Sequence, residues 1–237
     1  MALQLDLEEQ EQIDELKHFW SRWGDYVVWA LILVMGAYAA WNGWQYWQRR
    51  VSTQSAILFE TVERASESAD LALMERSFGD IKDKFGSTTY ANQAAFLVAR
   101  VYYENAQSPK AEEALNWVAK NSSEQGYQSL ARLRLAGLLI ERKAYGEARA
   151  LLAEKVASEF DQLVEDRLGD IDALEKHPDL SKDHYLKAWK ALDARAPYRK
   201  YVEAKLNALG VDPSVESSGV SGKTTQTQPT TESKDHP

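Results

Sequence analysis

The sequence predicts an all-α protein in which a single N-terminal transmembrane helix precedes an α-solenoid of paired helices. Three observations predict this fold class. A long stretch near the N-terminus has no charged residue, and small and large residues recur at near-constant spacing after it. No stretch shows the sustained period-two alternation of a strand. We expect an N-terminal tail (1–23), the transmembrane helix (24–48), the repeat domain (49–210) and a disordered tail (211–237).

The transmembrane prediction rests on residues 26–48, which carry no charge and are bounded by Asp25 and Arg49. As a helix this stretch would be roughly 34 Å long, enough to cross a hydrocarbon core of about 30 Å. Tryptophans gather at both of its ends, as expected for aromatic belts at the headgroup level. They are Trp20, Trp23 and Trp29 on one side and Trp41, Trp44 and Trp47 on the other.

Two alternatives exist for this stretch, a buried core helix and a cleaved signal peptide. Core helices rarely have so long a charge-free run. Ala37-Tyr38-Ala39 matches a cleavage pattern, but an acidic segment precedes the stretch, whereas a signal peptide begins with a short basic one. We therefore expect an uncleaved anchor.

Small residues at four-residue spacing lie within the predicted span. Gly36 and Ala40 are four apart, as are Ala39 and Gly43, and these residues would let a second membrane helix approach closely. Asn42 and Gln45 would add hydrogen bonds between helices. We predict a contact face for another membrane protein here, the alternative being that Gly and Ala are simply common in membrane helices.

After the span, three segments align at offsets of 37 and then 33 residues. Each has a small residue beside a large one in a first helix, followed by small and large residues in a second helix. Small residues allow paired helices to cross closely, and large ones fill the gaps. The small positions are Ala99, Ala111, Ala136, Ala148, Gly169 and Ser181, and the large ones include Val98, Tyr102, Leu115, Leu135, Leu139, Leu152 and Tyr185.

This is the tetratricopeptide pattern, whose helix pairs stack on their neighbours because one pair cannot bury its apolar face alone. The third repeat is degenerate, since Asp172 stands where its first helix needs an aromatic residue. A weaker unit precedes the first repeat, with Met74, Phe78 and Ile81 in its second helix. Pro197 and Gly210 are placed to begin and end a final capping helix.

The sequence resembles the ancillary SecYEG translocon subunit family over about residues 1–210. The resemblance lies in the acidic N-terminal segment, the tryptophan-flanked span, the stretch QSAILFETV after it and the three repeats. The segment DRLGDIDALEKHPDLSKDHYLKAWKAL is similar to the family's last repeat, although Leu168 separates Arg167 from Gly169-Asp170.

The resemblance implies a bacterial inner-membrane protein with a cytoplasmic N-terminus and a periplasmic repeat domain. The implied partners are the SecYEG translocon and periplasmic chaperones, including a membrane-anchored prolyl isomerase, and the implied role is to pass emerging secreted proteins to those chaperones. The charges flanking the span are nearly even and lean towards a cytoplasmic C-terminus, opposite to the family. We follow the family.

Tetratricopeptide domains bind partners on the concave face formed by their first helices. The repeat register places seven residues on that face as a predicted protein-binding groove: Gln93, Phe96, Arg100, Tyr103, Leu130, Leu133 and Ile140. Apolar members of this set can hold an extended or helical segment, unless the C-terminal helix fills the groove. Capture of a C-terminal carboxylate is disfavoured, because Phe96 and Leu133 stand where that clamp needs polar groups.

Composition and motifs argue against other classes of function. A net charge of −8 disfavours nucleic acid, and the absence of cysteine excludes disulfides and thiolate chemistry. We expect no enzyme, cofactor, metal or small-molecule substrate, because His177 and His184 lack a ligand spacing and the acidic residues suggest solvated helix faces. The alternative function is a structural scaffold for another envelope complex, such as one for cell division or cytochrome maturation.

Overall fold

The computed structural model describes residues 7–213, with backbone only for residues 7–16, 18 and 19. Within this part of the chain there are nine α-helices, one short 3-10 helix and no strand, which confirms the all-α prediction. The α-helices are α1 (Leu7–Glu67), α2 (Leu71–Phe85), α3 (Thr89–Glu104), α4 (Ser108–Asn121), α5 (Gln125–Glu141), α6 (Tyr145–Leu152), α7 (Asp161–Leu174), α8 (Pro178–Ala191) and α9 (Pro197–Ala208). Most of the predicted tail, from residue 214 onward, lies outside the described residues.

The chain forms two compact units that divide between Ala91 and Asn92. The first contains α1 and α2, and the second contains the helices from α4 to α9, with α3 beginning in the first unit and continuing in the second.

Helix α1 holds the charge-free stretch, and in the described residues it is the one helix long and apolar enough to cross a membrane. None of its most apolar window is buried by the rest of the protein. Flanking tryptophans are also outward-facing, with Trp29 at 69% and Trp41 at 64% exposure. A core helix would be covered by its neighbours, so this exposure overturns the core-helix alternative.

The C-terminal end of α1 belongs to the weak unit that precedes the first repeat. Val62 and Ala65 near the end of α1 are fully buried, and α1 packs against α2. On α2, the predicted second-helix residues Met74, Phe78 and Ile81 are buried. The same continuous helix therefore carries the apolar stretch and supplies the first helix of a helical hairpin.

In the second unit, the repeat register predicted from the sequence is confirmed by burial. Helix α5 packs against α4 and α6, and α7 packs against α8. All six predicted small positions are buried, as are their large neighbours Tyr102, Leu115, Leu139, Leu152 and Tyr185. The residues that recur along the chain are thus the ones that form the core.

The first helix of each hairpin ends at a residue in the left-handed region. These residues are Ala69, Ala106, Lys143 and Lys176, with φ of 56°, 57°, 64° and 65°. They are separated by 37, 37 and 33 residues, which are the repeat offsets. At each, the next N–H bonds the carbonyl five residues back, as from Gln107 to Tyr102 at 2.8 Å. This is the Schellman ending, here built without glycine.

Helix α9 caps the last repeat, as predicted from Pro197 and Gly210. Val202 and Leu206 on α9 are fully buried in a cluster with Tyr185 and Trp189 of α8. Gly210 has φ of +77° and ends α9 with the same Schellman pattern.

Buried acids join α7 to α8 and α9, which corrects our expectation that the acidic residues lie on solvated faces. Asp166 is fully buried and accepts from Lys205 Nζ at 2.7 Å and from the Tyr198 hydroxyl at 2.6 Å. Asp170 accepts from Lys205 Nζ at 2.7 Å and from the Tyr185 hydroxyl at 2.8 Å. Burial, and then the neighbouring carboxylates, raise the pKa of both tyrosines, so their hydroxyls stay protonated as donors.

Replacing Ala106 by glycine should stabilise the fold, because a side chain in the left-handed region strains the backbone and glycine does not. We expect Ala106→Gly to raise the free energy of unfolding by roughly 0.5–1 kcal/mol in chemical denaturation of the detergent-solubilised chain. Ala204→Gly, inside α9, is the matched control and should lower it by a similar amount. Destabilisation by both changes would show that the left-handed backbone at Ala106 is not strained by its side chain.

Adding one methyl group at Gly169 should destabilise the last repeat. A Cβ there would lie 2.5 Å from the Tyr185 ring, and Tyr185 is held by its hydrogen bond to Asp170. We expect Gly169→Ala to cost about 1–2 kcal/mol, the overpacking cost less the gain in helix propensity. Gly137→Ala, where a Cβ meets nothing within 4 Å, should instead stabilise. Equal shifts in thermal unfolding for the two variants would refute this.

Removing the Lys205 ammonium should be far more costly than removing an exposed charge on the same helix. Lys205→Met removes the closest cation of the buried Asp166 and leaves Arg167 at 3.9 Å, and we expect a loss of about 3 kcal/mol in the free energy of unfolding. Lys200→Met is the control, because Lys200 is exposed on α9, and it should change stability by less than about 0.5 kcal/mol. A loss for Lys205→Met as small as the control's would show that the network is not stabilising.

Candidate protein-binding groove

A groove runs between α3 and α5, on the face where the sequence predicts partner binding. It contains a cavity of about 420 Å³. Its lining comes from four helices of the second unit: Phe96, Ala99, Arg100 and Tyr103 of α3, Leu115 of α4, Leu133, Arg134, Gly137, Leu138 and Glu141 of α5, and Arg167 of α7. No residue of α9 is among them, so the capping helix does not fill the groove.

The floor of the groove is apolar and mostly covered. Phe96 and Leu133 are 8% and 5% exposed. The Phe96 ring lies 6.1 Å from the Tyr127 ring, and the Arg134 guanidinium stacks over it at 4.7 Å from the ring centroid. These two predicted groove residues therefore form a rigid base, and a partner would meet mainly the residues around them.

The accessible rim carries Tyr103 and arginines. Tyr103 is 44% exposed, and a hydrogen bond to Glu141 raises the pKa of its hydroxyl. Arg100 lies near Glu104, with Nε 3.7 Å from a carboxylate oxygen across an exposed pair. Such exposed pairs contribute little to stability, which leaves Arg100 available to a partner.

Arg134 has no carboxylate partner in the part of the chain that the structure describes. Desolvation, and then the positive charge of Arg100, lower the pKa of Arg134. Both effects mean that its guanidinium is short of a counter-charge. The third arginine of the lining, Arg167, is paired with Asp170 at 3.0 Å.

Three of the seven predicted residues lie outside the cavity lining. Leu130 and Ile140 are partly buried along α5, and Gln93 is exposed with its amide nitrogen 3.5 Å from the Tyr127 hydroxyl. The repeat register places a residue on a face but does not decide how far the groove extends. The structure therefore brings together Phe96, Arg100, Tyr103 and Leu133.

Arg167 is a lining residue that the sequence analysis missed. It follows Arg134 by 33 residues, which is the offset between the second and third repeats. That offset was the available signal, because equivalent positions of successive repeats face the same side of a solenoid. Leu138 and Glu141 gave no such signal.

The residues predicted to contact a second membrane helix lie on an uncovered surface of α1. Gly36, Ala40 and Gly43 are exposed, and a Cβ at either glycine would meet nothing within 4 Å. The Asn42 amide donates to the Tyr38 carbonyl of its own helix at 2.9 Å. Docking of a second helix on this face stays a prediction.

One group in the described residues could offer three ligand atoms to a metal ion. Oxygen or nitrogen atoms of Asp172, Glu175 and His177 lie within 4.8 Å of one another. The Arg149 guanidinium already bonds Asp172 at 2.5 Å and Glu175 at 2.7 Å, and these bonds, the one to Glu175 first, raise the pKa of Arg149. An internal cation thus accounts for the acidic pair.

Comparison with known proteins agrees with the geometry. A model of the tetratricopeptide repeat-like domain matches residues 17–211. A protein of Neisseria gonorrhoeae named ancillary SecYEG translocon subunit is 27% identical, over 86% of this chain and 98% of its own length. A protein of the same name from Aggregatibacter actinomycetemcomitans is 23% identical, over 86% of this chain and 98% of its own length. One from Haemophilus influenzae is 24% identical, over 70% of this chain and 80% of its own length.

No solved structure matches the chain significantly. The predicted resemblance to ancillary SecYEG translocon subunits is confirmed by these relatives. Since the domain model covers nearly all of the described residues, the chain belongs to the tetratricopeptide repeat-like domain family.

Proposed function

We propose that this protein is a single-pass inner-membrane adaptor at the SecYEG translocon that links emerging secreted proteins to periplasmic chaperones. The observation that carries the proposal is the continuity of α1, in which an exposed apolar stretch runs directly into the first helix of a helical hairpin. A protein-binding fold attached to the bilayer in this way suits a stationary adaptor. The relatives' shared name supports the translocon as the site of attachment.

In this proposal residues 1–23 lie in the cytoplasm, residues 24–48 cross the membrane and residues 49–210 form the periplasmic repeat domain. Residues 211–237 form a tail beyond it. Gly36, Ala40 and Gly43 supply a surface on which a translocon helix can pack closely. The groove between α3 and α5 receives a chaperone segment, a membrane-anchored prolyl isomerase among the candidates, and the protein acts without catalysis.

Reporter fusions after Gly210 test the orientation. A reporter active only in the periplasm should be active there, and a reporter active only in the cytoplasm should be inactive. Because the charges flanking the apolar stretch are nearly even, the reporters decide the orientation. Cytoplasmic activity would remove the periplasmic chaperones, and the adaptor proposal with them.

Co-purification decides between the adaptor and a scaffold for another envelope complex. The affinity-tagged full chain, solubilised in mild detergent, should retain SecYEG subunits. Replacing both Gly36 and Gly43 by isoleucine should reduce their recovery if this surface is the contact. Gly79→Ile, on α2, is the control. Recovery of cell-division or cytochrome-maturation proteins without SecYEG would favour the scaffold.

A further inference from the structure

We propose that the groove between α3 and α5 selects partner segments that carry an acidic side chain next to an apolar one. This inference rests on the proposed function of the groove as a protein-binding site and adds the chemistry of its partner.

The first observation behind this inference is the charge of the groove. Arg100, Arg134 and Arg167 all line one cavity, although the chain as a whole has a net charge of −8. Glu141 is the carboxylate among the lining residues, and the Tyr103 hydroxyl already bonds it. Arg167 is paired with Asp170 and Arg100 lies near Glu104, so Arg134 supplies the uncompensated positive charge of the groove, which attracts negative segments and repels positive ones.

The second observation is the environment of Arg134. Its guanidinium stacks on Phe96, lies close enough to Arg100 to feel its charge, and has no carboxylate partner among the described residues. A carboxylate from a partner would neutralise this arginine pair and form charge-assisted hydrogen bonds with the guanidinium edges. A wholly apolar partner would cover the guanidinium without pairing it, which is unfavourable.

The third observation is the open space beside Arg134. Gly137 lies in the lining, and a Cβ there would meet nothing within 4 Å, so the groove is open at this point. Leu133 and Leu138 contribute apolar surface next to it. A carboxylate on Arg134 therefore places the partner's neighbouring side chain against apolar surface, and an aliphatic or aromatic group fits there.

The carboxylate is an internal Asp or Glu side chain and not a chain end. Phe96 and Leu133 occupy the floor where capture of a terminus needs polar donors, and both are buried. Basic segments are excluded by the arginines.

Binding of designed peptides to the full chain in detergent tests the proposal. The probe is a fluorescently labelled peptide of alternating Leu and Glu, capped at both ends, and its match replaces every Glu by Gln. We expect the Glu peptide to bind at least about tenfold more tightly in fluorescence anisotropy, with the difference shrinking at high salt. Equal affinities of the two capped peptides would overturn the proposal. The proposal would also fail if the Gln peptide bound tightly once its C-terminal cap was removed, because the groove would then capture a chain end.

Two pairs of variants locate the effect. Arg134→Glu should weaken binding of the Glu peptide by about tenfold or more. Arg195→Glu makes the same charge change at a side chain that is 94% exposed, and it should leave the affinity unchanged. Gly137→Leu, whose Cβ would meet nothing within 4 Å, should block the groove, whereas Gly79→Leu on α2 should leave binding unchanged. Binding unaffected by both groove variants would place the peptide elsewhere and refute the inference.

The outcome is separable from that of the proposed function. SecYEG recovery without peptide selectivity would leave the adaptor standing and remove the acidic-partner inference. Selective peptide binding without SecYEG recovery would retain the groove chemistry and remove the translocon assignment.

Discussion

The close approach of paired helices is the constraint on which the repeat domain depends. Where α7 crosses α8, Gly169 leaves no space for even a methyl group beside the Tyr185 ring, and the Ser181 hydroxyl donates to the Gly169 carbonyl at 2.9 Å. Such contact between backbones is possible only where side chains are small. The alanines at equivalent positions of the other repeats are buried in the same way, and large neighbours fill the remaining volume.

The last repeat replaces apolar packing with buried ion pairs. Asp172 occupies the position held by Tyr102 and Leu139 in the other repeats, and it is stabilised by Arg149 from the preceding repeat. Asp166, six residues earlier on α7, is paired with Lys205 from the capping helix. A buried carboxylate is costly without its cation, so these pairs require α6, α7 and α9 to keep their neighbours.

The same register determines what the groove presents. Because small residues turn inward to the helix crossings, the outward positions of α3 and α5 are left for Arg100, Tyr103 and Arg134. The positive charge of the two arginines contrasts with the net negative charge of the chain. Gly137 keeps the groove surface open. A fold whose packing is fixed by a few small positions can thus vary its partner chemistry on the remaining ones.

The sequence by itself determined the long apolar helix, the repeat offsets, the buried repeat positions and the capping helix, because these follow from local periodicity and composition. Tertiary structure alone decided the hairpin endings. Glycine usually marks a left-handed residue in a sequence, and Ala106 and Lys143 stand at these positions instead. It also decided the buried ion pairs. Asp166 and Lys205 are 39 residues apart, and no local pattern records which side chains meet once separate helices have packed.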